Sequence, residues 1–238
     1  MGFYITRLSL INAKGKEQLL LRNPADTKAG FWVTYLIEGV PYCINTVEKE
    51  TISIVSKEQT QGRTRIVLDY IPVSSNPPVA RMEIEVWSQN KPFMLIRHKI
   101  TNLSDAIIED LKLYNLMDFD VGGPSSYKDD LGVFDEDTGM ISVWDDNPLC
   151  VVMASKPVPD AWEISSPTKL MVNHENRDLK KNLELGPKDV STGLQWNHGL
   201  LAPGDCRSVD IVLASASNLE EAKNLINTSW EIFKTKIR

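Results

Sequence analysis

The stretch Ile107-Ile108-Glu109-Asp110-Leu111-Lys112-Leu113-Tyr114-Asn115-Leu116-Met117-Asp118-Phe119 decides the fold class. Ile107, Leu111, Leu113, Met117 and Phe119 repeat with a period of two, while Asp110, Lys112 and Asp118 alternate with them. Such a pattern predicts a strand with one face on a core and the other towards water, as in antiparallel sheets. Segments of the same kind occupy 3–11, 17–22, 31–38, 51–57, 63–71, 80–88 and 93–102. After the central stretch they continue at 131–134, 140–144, 149–155, 161–165, 168–173, 190–196 and 207–214. They are rich in Val, Ile, Leu, Thr and aromatic residues and are separated by Gly, Pro, Asn and Asp. Regular strands without intervening helices predict an all-β fold, a large antiparallel β-sandwich over residues 1–215.

Several connections have a local cause. Ala202-Pro203-Gly204-Asp205 reads as a type II turn, with Gly204 supplying the positive φ. Asp135-Glu136-Asp137-Thr138-Gly139 reads as a hairpin loop closed by glycine. Asn76-Pro77-Pro78 neither pairs nor helices, and predicts a rigid connection. Near the end, Ser217 stands three residues before Glu220, which predicts a capping box. Leu219, Ala222, Leu225, Ile226, Phe233 and Ile237 then follow helical spacing, so one C-terminal helix is expected over 217–237. With no linker, repeat or low-complexity tract, 1–238 reads as a single domain.

Composition narrows the function classes. The chain has 238 residues, 42% hydrophobic and 24% charged, which excludes a disordered or collagen-like polymer. Its 26 basic and 32 acidic residues leave a net charge of −6, and no basic stripe offers itself to phosphates, so nucleic acid is not an expected partner. No run of about 18 apolar residues predicts a membrane span. The three cysteines, Cys43, Cys150 and Cys206, are odd in number and lack CxxC spacing. A reducing, cytoplasmic setting is therefore expected.

Three stretches carry a family resemblance: Ile100-Thr101-Asn102-Leu103-Ser104-Asp105 with the long strand after it; Asp135 to Val143; and Leu194-Gln195-Trp196-Asn197-His198-Gly199-Leu200-Leu201-Ala202-Pro203-Gly204. Together they resemble the β-supersandwich of galactose-mutarotase-like folds. They are most similar to the non-catalytic β-domain ahead of the helical barrel in glucoamylases and glucodextranases. The resemblance implies a carbohydrate-associated sandwich that binds glycans or supports a glycosidase. It also implies an alternative, a mutarotase or epimerase using two histidines and a carboxylate on a sugar ring. A third reading is a structural or assembly protein, with a homo-oligomer or protein partner held through the C-terminal helix or a sheet edge.

The candidate site residues follow from chemistry. Sugar sites combine a flat apolar ring with nearby carboxylates or amides. Trp144-Asp145-Asp146 offers both in one turn, and Trp162 and Trp196 are further ring candidates. Segment 118–146 carries nine acidic residues against Lys128 alone. Such carboxylates repel one another unless a cation or ligand hydroxyls satisfy them, so a neutral polyol is the better guest. Asp135-x-Asp137 is the candidate for Ca²⁺, although Met140 and Asp146 occupy positions where a calcium loop needs Gly and Glu. No other cofactor is expected. The catalytic candidates are His98, His174 and His198, the three histidines of the chain. Against each stands a plainer role: tryptophans fill cores, carboxylates sit on loop tips, and isolated histidines are structural.

Overall fold

In this computed structural model the described residues are 7–11, 15–22, 30–45, 52–71, 78–88, 90–123, 126, 128–145, 148–173 and 175–236. Sixteen strands and one helix occur among them. The first half of the chain forms β1 (Arg7–Ile11), β2 (Glu17–Arg22), β3 (Gly30–Ile37), β4 (Val40–Asn45), β5 (Ile52–Thr60), β6 (Arg63–Tyr70), β7 (Ala80–Ser88), β8 (Phe93–Asn102) and β9 (Ile108–Phe119). The second half forms β10 (Leu131–Asp135), β11 (Met140–Trp144), β12 (Cys150–Lys156), β13 (Ala161–Ser165), β14 (Glu184–Leu185), β15 (Val190–Leu201), β16 (Cys206–Ala216) and α1 (Leu219–Lys236).

These strands build an antiparallel sandwich. The seven-stranded sheet runs β1-β2-β9-β15-β13, with β3 pairing β9 and β4. The nine-stranded sheet runs β14-β10-β11-β12-β16-β8-β7-β6-β5. The main core lies between the sheets and takes alternate residues from each, among them Leu111, Leu113, Met117 and Phe119 of β9 and Ile96 and Ile100 of β8.

One detail of β9 departs from strict alternation. Thr34 faces Lys112 and Leu36 faces Glu109, so β9 carries one residue more than β3 between these pairs. The extra residue is a bulge at Asp110, whose φ is 45°. Beyond the bulge the faces exchange: Ile108 is buried in the core, and Ile107, expected there with Leu111, is exposed.

The second face of β9 also differs from expectation. Lys112, Tyr114, Leu116 and Asp118 are all buried, and residues 166–173 and 175–183 fold across Tyr114 and Leu116. Leu170, Val172 and Leu179 of this segment pack on Trp32, Tyr114, Leu116 and Ala161. The segment contains the expected strand 168–173, which does not form. Its backbone turns instead, with the Lys169 and Leu170 amides donating to the Ser166 carbonyl at 2.9 and 3.1 Å. Further on, the Lys181 amide donates to the Trp162 carbonyl at 2.7 Å, and β14 joins β10, which closes the sandwich along that edge.

The outer face of the nine-stranded sheet has two parts. Under α1 it is apolar: Trp87, Phe93, Leu95, Val152 and Val212 meet Ala222, Ile226, Trp230 and Phe233. Beyond the helix the same rows turn charged. Arg97 pairs with Asp210 at 2.7 Å, Lys99 with Glu83 at 3.0 Å, Arg81 with Asp69 at 2.7 Å and Arg63 with Glu85 at 2.8 Å. Strand β5, at the end of this sheet among the described residues, pairs with β6, is bulged between Ile54 and Ser56, and joins these ion pairs through Glu58 and Arg65 at 3.2 Å.

The helix begins at Leu219, and its cap is Asn218 rather than Ser217. The Asn218 Oδ1 accepts the Glu221 amide at 2.8 Å, and Glu221 reaches back to Asn218 and Ser217. The capping box is thus shifted by one residue, since Asn and Ser are equivalent caps and either register offers a Glu three residues on. Two turns form as expected: Asp205 donates to Ala202 at 3.0 Å around Gly204 (φ 80°), and Asp135 Oδ1 accepts the Asp137 and Thr138 amides, both at 3.1 Å. Residues 3–6, Asn76-Pro77 and Ile237 lie outside the described residues.

Candidate functional site

The bulge at Asp110 and the covering segment together create a polar rim on the seven-stranded sheet. Arg177 donates to the Asp110 carboxylate and, at 3.0 Å, to the Asp110 carbonyl. Tyr114 Oη donates to the Arg177 carbonyl at 2.6 Å and lies 2.9 Å from Thr34 Oγ1. Next to them Lys112 Nζ and Gln195 Nε2 both donate to Asp178 Oδ1 at 2.9 Å. Gln195 also donates to Asn197 Oδ1 at 2.8 Å and accepts the Leu179 amide at 2.8 Å. The Asn197 amide donates to Asp160 Oδ2 at 2.7 Å.

The electrostatics follow from these bonds. Hydrogen bonds from Lys112 and Gln195 hold the Asp178 carboxyl below its ordinary pKa, so it is ionised at neutral pH. Burial pushes the Tyr114 phenol up, which keeps it neutral. Although Asp178 is fixed at one oxygen, its side chain is 70% exposed. The rim therefore presents carboxylates at Asp178 and Asp110 and a side-chain amide at Asn197, held in place by buried partners. Such a set can exchange hydrogen bonds with a neutral hydroxylated ligand.

The described sequence candidates have other surroundings. Trp144, partly buried, packs with the helix-side cluster. Trp162 packs against the main core, stacked on Phe134 with ring centroids 4.0 Å apart, with Lys181 5.3 Å from its ring. Trp144 thus lies on the helix-covered outer face of the nine-stranded sheet, whereas Trp162, on β13 of the seven-stranded sheet, faces the core between the sheets. Trp196 is 1% exposed and donates Nε1 to the Pro157 carbonyl at 3.0 Å. Asp145 is buried and accepts the Ser126 hydroxyl. Asp135 caps its hairpin and meets Lys223 at 3.5 Å, and Asp137 is exposed in the same loop. Asp146 and His174 lie outside the described residues.

His98 is sealed between the sheets beside Phe31, 4.9 Å away, and its Nε2 has no hydrogen-bond partner. Burial, with His198 adding to it, pushes its pKa down to about 3. His198 is half-buried and also lowered, by burial first and by Arg207 second. Structure therefore brings two of the three histidines within electrostatic reach of each other, in a buried setting.

The acidic segment contributes a second group of perturbed residues. Both carboxylate oxygens of Asp130 are buried without a hydrogen-bond partner. Burial first, then Asp145, raise its pKa to about 8, with the Val121 amide offsetting a little. Asp118, bonded by Ser191 at 2.6 Å, is raised to about 6, mainly by burial. Among the described residues no three His, Cys, Asp or Glu side chains are grouped to hold a metal ion.

Sequence reasoning missed Tyr114, Arg177, Asp178 and Gln195. The available signal was the second face of the central strand, where Tyr114 and Leu116 sit between Lys112 and Asp118. A face facing only water has no use for two such residues.

No protein-family model matches the sequence, and no curated protein matches it. Solved structures do match. A GalM/aldose epimerase homologue from C. elegans aligns with a TM-score of 0.60 at 12% identity, over 91% of this chain and 93% of that one. A bacterial glucoamylase complexed with acarbose aligns with a TM-score of 0.57 at 13% identity, over 87% of this chain. The matched part is 31% of the glucoamylase, so this chain spans about a third of that enzyme. No described helix is long and apolar enough to cross a membrane. Two antiparallel sheets, their register and these two likenesses make the fold that of a galactose-mutarotase-like β-sandwich.

Proposed function

We propose that this chain is a non-catalytic, carbohydrate-associated β-sandwich that binds glycans at the rim formed by Asp110, Lys112, Asp178 and Asn197. The observation that carries the reading is Asp178, exposed to solvent yet fixed by Lys112 and Gln195. A polar group already held in its binding position loses little freedom when a ligand arrives, which lowers the cost of binding. Lys112 faces Asp178 from within the sheet, so the rim has little net charge and suits a neutral polyol. The carbohydrate enzymes that share the fold support the class of ligand.

Calorimetric titration with maltose- and dextran-type oligosaccharides tests this. Binding at micromolar to millimolar sugar, lost in Asp178→Ala and Asn197→Ala while both variants keep the native circular dichroism spectrum, is the expected result. No heat with any sugar overturns it.

A second reading, ring opening by a histidine pair, draws on the closeness of His98 and His198. The burial of His98 weighs against it, because a group with a pKa near 3 and 1% exposure neither meets a sugar nor takes up its proton at neutral pH. Polarimetry on glucose and galactose separates the readings: mutarotation at the buffer rate favours the first.

A further inference from the structure

A cavity of about 90 Å³ opens at one end of the sandwich, away from the rim. Leu8 and Leu20 of the β1–β2 hairpin line one side of it, and Val151 and Leu213 of the nine-stranded sheet line the other. Met94 and Phe93 complete the apolar wall. The lining also includes groups of another kind, the hydroxyls of Ser9, Ser88 and Ser215 and the amine of Lys91. Ser215 is buried, and its hydroxyl has no hydrogen-bond partner. Its amide donates to the Pro92 carbonyl at 2.9 Å, which puts Ser215 beside the turn that carries Lys91. Lys91 itself is exposed. The unsatisfied Ser215 hydroxyl and the Lys91 cation thus lie together beside the apolar wall of the cavity.

We propose that this cavity binds a short-chain aliphatic carboxylate. The tail fits the apolar wall, and the carboxylate accepts hydrogen bonds from the Ser215 hydroxyl and the Lys91 ammonium. The volume sets the length: it equals about three waters at roughly 30 Å³ each and is smaller than the ~150 Å³ cavity that takes a benzene ring. A tail of three or four carbons matches it, which points to butyrate or valerate. Burying such a tail supplies the affinity, while the charged head sets the preference for an anion over an alcohol or an amine.

Methionine-methyl NMR on the full chain tests the proposal, with Met94 identified through Met94→Leu. Sodium butyrate, 1-butanol and butylammonium chloride are titrated at constant ionic strength. A saturable shift of the Met94 methyl with butyrate, several-fold weaker with butanol and absent with butylammonium, is expected. Lys91→Glu, an exposed change that leaves the fold intact, is expected to weaken butyrate about tenfold. No Met94 shift with butyrate overturns the proposal. So does equal affinity for the three ligands, or an affinity for butyrate that Lys91→Glu leaves unchanged.

Discussion

Leu179 packs its Cδ1 methyl directly over the bare backbone of Gly193. A Cβ built on Gly193 would stand 3.0 Å from Leu179 Cδ1, with Leu116 and Leu170 methyls at 3.1 and 3.3 Å. The covering segment therefore lies as close to β15 as backbone permits. The neighbouring bonds from Gln195 and Tyr114 to residues 177–179 depend on that approach.

Gly193→Val places two further carbons among three packed leucines. Overpacking of this kind costs about 1–3 kcal/mol. The expected outcome is a lower melting temperature together with faster proteolysis within residues 166–183. An unchanged melting temperature means that the leucines rearrange freely and that the cover is not held by close packing.

Asp130 predicts a pH dependence. Its folded pKa of about 8 lies above the unfolded value near 3.9, so the native chain keeps a proton that the unfolded chain releases. Its contribution is complete below the unfolded pKa and is lost as pH rises towards 8. Asp118, raised to about 6, acts in the same direction over the lower part of that window. The wild type is expected to lose thermal stability from pH 6.5 to 8.5, and Asp130→Asn to flatten that fall. A parallel slope in both proteins refutes the assignment.

His98 works in the opposite direction. Its folded value of about 3 lies below the unfolded 6.5, so the unfolded chain binds the extra proton and stability falls as pH drops from 6.5 towards 3. His98→Leu removes that loss along with an unpartnered buried nitrogen. Melting temperature is expected to change little at pH 7 and to rise at pH 4.5. Collapse of the fold at pH 7 shows that the ring makes a contact Leu does not replace.

Asn102 ties two turns together. Its Nδ2 donates to the Ala106 and Leu201 carbonyls at 2.8 and 3.0 Å, and its Oδ1 accepts the Ser104 amide at 2.9 Å. Asn102→Ala leaves these partners unpaired, at about 1–3 kcal/mol for each one that stays buried. Denaturant midpoints measure the loss. A change below about 0.5 kcal/mol, the usual range for surface sites, means that water replaces the side chain.

Much of the sandwich is legible in the sequence because the period-two pattern reports each sheet face directly. β2, β7, β8, β11 and β13 match their expected bounds residue for residue. Segment 168–173 misleads because Leu170 and Val172 alternate for another reason: they pack a covering loop onto a sheet. β4 escapes notice because Pro41 interrupts it, which an edge strand tolerates. The two-residue β14 is too short to show a period. The rim is less legible. Arg177 and Asp178 stand more than sixty residues from Asp110 and Lys112, and only the path of the covering loop joins them. The tryptophans attract attention by type, but their roles depend on which sheet face each one occupies.

Strand β5 ends the nine-stranded sheet among the described residues, and the outward amides and carbonyls of an end strand are a template for another chain. Ile54 and Val55, each about half exposed, would suit that template. The bulge between Ile54 and Ser56 interrupts the even spacing that an incoming strand has to match. Glu58, tied to Arg65, brings charge to the same margin. Bulge and charge together thus hinder growth of the sheet from molecule to molecule at this border.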